Sequence, residues 1–158
     1  RWARRLVALL EDCRRLGACA TEAPSAGIHR DFYPDQILVG DDGRLFLLDL
    51  DLYSEGDPAL DAGNFLGHVI EQAVRGGGGP EASGPVEEAF REGWLELAGE
   101  RRRWSVEVHT LLSLARHISL SAGFAERRAW TEPIRELTER RAAWLGSFER
   151  QREAGGAS

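Results

Sequence analysis

A mainly α-helical α+β domain is the fold this chain predicts, on three observations. Apolar residues recur at helical spacing in five separate stretches that account for most of the chain. One place breaks that pattern. Two short apolar runs, Ile37-Leu38-Val39 and Leu45-Phe46-Leu47-Leu48, are joined by Gly40-Asp41-Asp42-Gly43 and read as a small β-hairpin. Finally, 158 residues at 42% hydrophobic content suffice for one domain with its own core.

Residues 1–17 carry Trp2, Leu6, Leu9, Cys13 and Leu16 at helical intervals with Arg and Glu between them, an amphipathic helix closed by Gly17. Residues 18–27 are small and polar and read as a loop. Residues 28–52 hold the hairpin and a polar cluster before it. A second loop spans 53–57. Asp57-Pro58 then starts a helix over 57–75, with Asp as N-cap and Pro in the first turn. The glycine-rich stretch 76–85 predicts a flexible surface loop; it lacks the Gly-Lys-Ser/Thr that a phosphate cradle would need. A helical subdomain at 86–152 follows, with helices over 86–99, 104–122 and 131–152. Its core candidates are Trp94, Leu95, Leu97, Val106, Leu111, Leu114, Ile118, Ile134, Leu137, Trp144, Leu145 and Phe148. The Arg and Glu runs on these helices read as solvated faces, and 154–158 as a frayed tail.

Composition excludes several functions. A net charge of −6 argues against nucleic acid, which selects basic faces. No apolar run is long enough for a membrane span, and no signal-peptide pattern appears. Cys13 and Cys19 make no disulfide framework, so reduced thiols in a cytoplasmic protein are expected. The basic residues are all Arg, and with no Met the chain reads as part of a longer protein.

The residues with chemistry are at 29–51. His29-Arg30-Asp31-Phe32-Tyr33-Pro34-Asp35-Gln36 leads into the hairpin, whose second run ends Asp49-Leu50-Asp51. Folding the hairpin should bring Asp31 and Gln36 towards Asp49 and Asp51. That would gather two or three carboxylates and one amide oxygen around a point, a hard-oxygen setting suited to Mg²⁺. Asp31 alone could equally be a turn or cap residue. Gln36 could satisfy loop backbone, and Asp51 could be an ordinary exposed acid. His68, His109 and His117 show no ligand-like spacing and read as surface or satisfied interior histidines. Trp94, Trp104, Trp130 and Trp144 read as core rather than as a stacking box.

His29-Arg30-Asp31 with Gln36 five positions after the Asp matches the kinase catalytic-loop spacing H-R-D-x-x-x-x-N, with Gln for Asn. With Phe32-Tyr33-Pro34, Asp49 and Gly56-Asp57-Pro58-Ala59-Leu60-Asp61, the stretch resembles the aminoglycoside phosphotransferase and choline-kinase-like group of small-molecule kinases. The likeness is close over residues 27–66. It implies the helical C-terminal lobe of a protein-kinase-like fold, ATP as co-substrate, and Mg²⁺. Asp31 would act as catalytic base, Gln36 and Asp49 as metal ligands, and Asp51 would help hold metal or a cationic substrate. His29 and Arg30 would shape the loop, Asp57 would cap, and Asp61 would brace the loop through backbone amides.

The same resemblance implies an N-terminal β lobe with a strand Lys, expected before residue 1. The chain alone is then expected to bind Mg²⁺-nucleotide weakly, to have little transferase activity, and to self-associate through the apolar face that the missing lobe would cover. The expected partner is a small-molecule hydroxyl acceptor, of a cationic kind if the negative field counts. A non-catalytic kinase-like binding module is the rival reading, and a metal-dependent phosphohydrolase a third.

Overall fold

The computed structural model describes residues 2–20, 25–78 and 82–155, with side chains to Gln151. Five helices dominate it: α1 (Trp2–Ala18), α2 (Ala59–Arg75), α3 (Gly84–Ala98), α4 (Arg103–Gly123) and α5 (Thr131–Gly155). Four three-residue strands, β1 (Ala26–Ile28), β2 (Ile37–Val39), β3 (Leu45–Leu47) and β4 (Ser54–Gly56), form two antiparallel pairs. The mainly helical α+β class is therefore what the chain adopts. No helix among the described residues is long and apolar enough to cross a membrane.

The hairpin forms with Ile37 opposite Leu47 and Val39 opposite Leu45. Its turn is closed by Gly43 at φ 78°, a conformation that costs glycine little. The second pair, β1 with β4, sets Gly27 opposite Glu55. Both segments were expected to be loops. Ala-Gly-Ile and Ser-Glu-Gly carry no apolar alternation, so nothing in them signals a strand.

Helix α4 is the central element. Its buried Leu111, Leu114 and Ile118 each remove apolar surface worth about 1.5–3 kcal/mol from water. Leu111 and Ile118 meet α1 (Leu9, Cys13, Leu16) and α5 (Ile134, Ala142, Leu145) in one core cluster. On another side α2 lies along α4 in the same direction. Gly63 sits against His109 and Thr110, and Gly67 against Ser113, so closely that an added Cβ would overlap them. Two small residues four apart let the helix backbones approach.

The end of α2 departs from the flexible loop expected there. Gly77 takes φ 75°, its N–H donates to Val74 O (3.2 Å), and Gly78 N–H donates to Ala73 O (3.2 Å). This is a Schellman C-cap, which uses the glycines to satisfy the last carbonyls. Residues 79–81 lie outside the described residues, and the far end of the expected 76–85 loop is not loop: Ser83 is buried and Gly84-Pro85 form the first turn of α3, where Pro needs no N–H partner. Helix α5 continues to Gly155, past the point where the tail was expected to fray; 156–158 are outside the described residues.

Two burial expectations fail. Leu97 is 92% exposed, Trp144 54% and Phe148 45%, so none of the three is buried core. The Arg and Glu runs are not all solvated faces. Arg135 is fully buried between Glu132 and Glu139. Arg91 and Arg141 share Glu87 and Glu107 between α3, α4 and α5. Charged side chains at helical spacing look the same in sequence whether they face water or each other.

Candidate active site

Helix α2 builds the site. Asp61, Asn64, Phe65 and His68 stand at i, i+3, i+4 and i+7, one face of the helix, and each engages the segment 29–33. Asp61 Oδ2 accepts the backbone N–H of His29 at 2.6 Å, and its Oδ1 that of Arg30 at 2.8 Å. Asn64 Nδ2 donates to Phe32 O at 3.0 Å, while its Oδ1 accepts Ser113 Oγ–H at 3.1 Å. Phe32 stacks on Phe65 (centroids 5.3 Å apart) and Tyr33 on His68 (4.5 Å).

These contacts hold a backbone that would not otherwise stay bent. Arg30 has φ 70°, the left-handed region that non-glycine residues enter at a cost of order 1–3 kcal/mol. His29 is buried and its Nε2 lies 2.7 Å from Leu48 O, which ties the loop to the end of the hairpin. Its Nδ1 has no hydrogen-bond partner among the described residues.

The segment then makes a 3₁₀ turn at Pro34–Gln36 and enters β2. Gln36 is buried. Its backbone carbonyl accepts Leu48 N–H at 2.9 Å, and its side-chain nitrogen lies 3.5 Å from Asp49 Oδ2. Asp49, exposed, is the second non-glycine residue with positive φ (φ 55°, ψ 63°). The two backbone outliers thus precede Asp31 and coincide with Asp49.

Asp31 is partly exposed. The charge that pairs with it is the Arg116 guanidinium of α4, whose Nη1 is 3.8 Å from Asp31 Oδ1. Behind it, His68 meets His117 edge-on at 4.5 Å. Burial lowers the pKa of His68, against the pull of Asp31 that raises it. Burial pushes His117 down to about 3, helped by His68 and Arg116.

The structure gathers less than the sequence suggested. Among the described residues no three carboxylates, histidines or cysteines form a metal-holding group, so Asp31, Asp49 and Asp51 do not share one point. Asp51 does not follow Asp49 into the site as expected: Leu50–Leu52 is a 3₁₀ turn rather than a continuation of the strand, and Asp51 is exposed on it. Gln36 and Asp49 do come together. Their oxygens suit Mg²⁺, which takes one or two protein carboxylates and completes its shell with water and phosphate oxygens. The amide would turn its oxygen to a cation, since its two ends differ only in assignment.

Asp57 caps α2, its Oδ1 accepting Ala59 N–H at 2.9 Å, and also reaches α4. It accepts Arg102 Nη1–H (3.2 Å) and Ser105 Oγ–H (2.9 Å). Sequence reasoning missed Asn64, His68 and Arg116 as neighbours of the loop. The available signal was a polar stripe, 61-64-68, on a helix whose other faces are apolar.

The family model described as "Phosphotransferase enzyme family" (APH) matches residues 1–105, which takes in α1, both strand pairs, α2, α3 and the first residues of α4. No curated protein and no solved structure matches the chain. With a matched segment that spans more than half of its length and contains the braced loop, the chain belongs to the phosphotransferase enzyme family.

Proposed function

We propose that this chain is the catalytic and acceptor-binding lobe of a kinase-like phosphotransferase that moves the γ-phosphoryl group of ATP to a hydroxyl of a small molecule. The observation that carries the reading is the Gln36–Asp49 approach beside a loop locked by Asp61. Phosphoryl transfer asks a protein mainly for positioning and charge neutralisation, and both parts have candidates here. Asp31, partly exposed at the bend, would orient the acceptor hydroxyl and take its proton, a contribution of roughly 10²–10⁴ in rate. Gln36 and Asp49 would hold Mg²⁺, which when bound offsets charge on the phosphate oxygens. Arg116 steadies the Asp31 carboxylate until an acceptor arrives.

The apolar side chains Leu38, Val39, Leu45, Phe46 and Leu47 on the hairpin are between 45% and 69% exposed. In this reading they are the face against which a nucleotide-binding N-terminal lobe docks, and in its absence the face through which copies associate. ATP and Mg²⁺ as cofactors and a cytoplasmic setting belong to the same proposal.

The test is Mg²⁺-dependent ATP consumption across a panel of hydroxyl acceptors, aminated and neutral, with the protein carrying its nucleotide-binding lobe. Stimulation by an acceptor that disappears in Asp31→Asn supports the enzyme. Nucleotide binding without turnover on any acceptor supports the non-catalytic module instead.

A further inference from the structure

We propose that the half-open cavity between α3, α4 and α5 is a second binding site, separate from the catalytic loop, for a small ring-bearing anion such as an aromatic carboxylate. The cavity measures about 890 Å³, the size of a small-molecule site. Its aromatic wall is a ladder. Phe148 stacks at 6.1 Å on both Trp104 and Trp144. Trp144 and Phe148 are 54% and 45% exposed, large rings left in water with one face open.

The walls carry cationic groups that are not all paired. Arg91, Arg101, Arg103, Arg140 and Arg141 line the cavity with Glu87, Glu100 and Glu107, and Glu88 and Glu92 pair with Arg91 and Arg103 from outside it. Arg91 and Arg141 share Glu87 and Glu107, and Arg103 holds Glu100. Arg101 and Arg140 have no carboxylate partner among the described residues. The paired arginines are themselves incompletely satisfied. Arg91 is buried, and its Nε, although 2.7 Å from Glu107 Oε1, is not aligned for a hydrogen bond. Arg141 Nε, also buried, has no acceptor among the described residues. Buried donors without acceptors are uncommon and mark places where something further is accommodated. A ligand with a flat ring and one anionic group fits both halves, the ring on the Phe148–Trp144 ladder and the anion on the guanidiniums.

The site is not the catalytic one. Trp104 and Arg116, the partner of Asp31, are more than three turns apart on α4, roughly 18 Å along the axis. Leu137, Trp144 and Phe148 also lie beyond the part of the chain that matches the family.

The probe is 8-anilinonaphthalene-1-sulfonate, followed by fluorescence, with uncharged N-phenyl-1-naphthylamine beside it. The sulfonate should saturate at one site per chain. Trp144→Ala, at an exposed position, should weaken both probes about fivefold or more, the loss expected when one stacking wall is removed. Arg101→Glu with Arg140→Glu should weaken the sulfonate by about tenfold and leave the uncharged probe unchanged. The control pair Arg4→Glu with Arg14→Glu, on the exposed face of α1, should alter neither. Unchanged sulfonate affinity in Trp144→Ala or in the Arg101/Arg140 variant overturns the proposal. So does a sulfonate signal that vanishes in Phe46→Ser, which would place the probe on the apolar hairpin.

Discussion

Asp61 accepts the backbone N–H of Arg30 at 2.8 Å, and Arg30 is the residue that turns the chain through φ 70° immediately before Asp31. One carboxylate on α2 thus holds the bend that sets the position of the candidate base, with its other oxygen on His29 N–H. Hydrogen bonds to a charged acceptor contribute about 1.5–3 kcal/mol each. Asp61→Ala should cost about 2–4 kcal/mol in urea unfolding. Asp61→Asn should cost less, since one acceptor oxygen survives. A loss below 1 kcal/mol in the alanine variant, on the scale of an ordinary surface change, would mean that the loop is held from elsewhere.

The α2–α4 contact makes a prediction that helix propensity alone gets backwards. Alanine is the better helix former, yet at Gly63 or Gly67 its methyl would overlap His109 or Ser113. Each substitution should destabilise by about 1–3 kcal/mol, the cost of overpacking. Gly93 in α3 has open space where a Cβ would go, and Gly93→Ala should stabilise by about 0.5–1 kcal/mol. Thermal unfolding of the three variants reads opposite signs.

Acid should loosen the packing around the loop before it reaches the carboxylates. Burial holds His117 at about 3, well below an unfolded histidine near 6.5, and lowers His68 and His109 too. Unfolding therefore takes up protons between these values. The stability that neutral His117 contributes is complete above about pH 6.5 and is lost as pH falls towards 3, at up to about 1.4 kcal/mol per pH unit. His117→Asn should flatten the fall in urea midpoint between pH 6.5 and 4. An identical slope in the variant would assign the acid sensitivity elsewhere.

Arg116 separates stability from function. Its pair with Asp31 is 3.8 Å long and its side chain is 57% exposed. Arg116→Ala should change folding stability by less than about 1 kcal/mol, as exposed pairs do. Under the proposed function it should lower turnover several-fold, because the cation that positions the Asp31 carboxylate is gone. Unaltered turnover would leave Arg116 as a surface residue.

The helices and the hairpin were legible because their signals are local. Asp57-Pro58 marks the start of α2, and Gly17 lies at the end of α1, to within two residues of the observed bounds. The pairing of β1 with β4 was not legible, since three-residue segments with glycine carry no period. Of the site, residues 29–36 and 49 stand out by their spacing, and the likeness to kinases follows from it. The geometry between them does not. Asp51 was misplaced because a residue in left-handed conformation at Asp49 turns the chain into a 3₁₀ turn, and nothing adjacent announces it. Arg116 and Asp31 are far apart in sequence, and only the α2–α4 packing brings them together. Trp144 and Arg135 exchanged their expected environments because aromatic and charged residues at helical spacing are read by average habit, while their burial is set by which neighbour arrives.

The most direct test of the central reading is where a divalent cation binds. With Mn²⁺ in place of Mg²⁺ and a non-hydrolysable ATP analogue present, the side-chain amide resonances of Gln36 and the backbone signals of residues 48–50 should broaden first in an ¹H–¹⁵N spectrum. The effect should disappear in Asp49→Asn. Broadening centred on the exposed Asp41-Asp42 turn, or unchanged at Gln36 when Asp49 is replaced, would contradict the account.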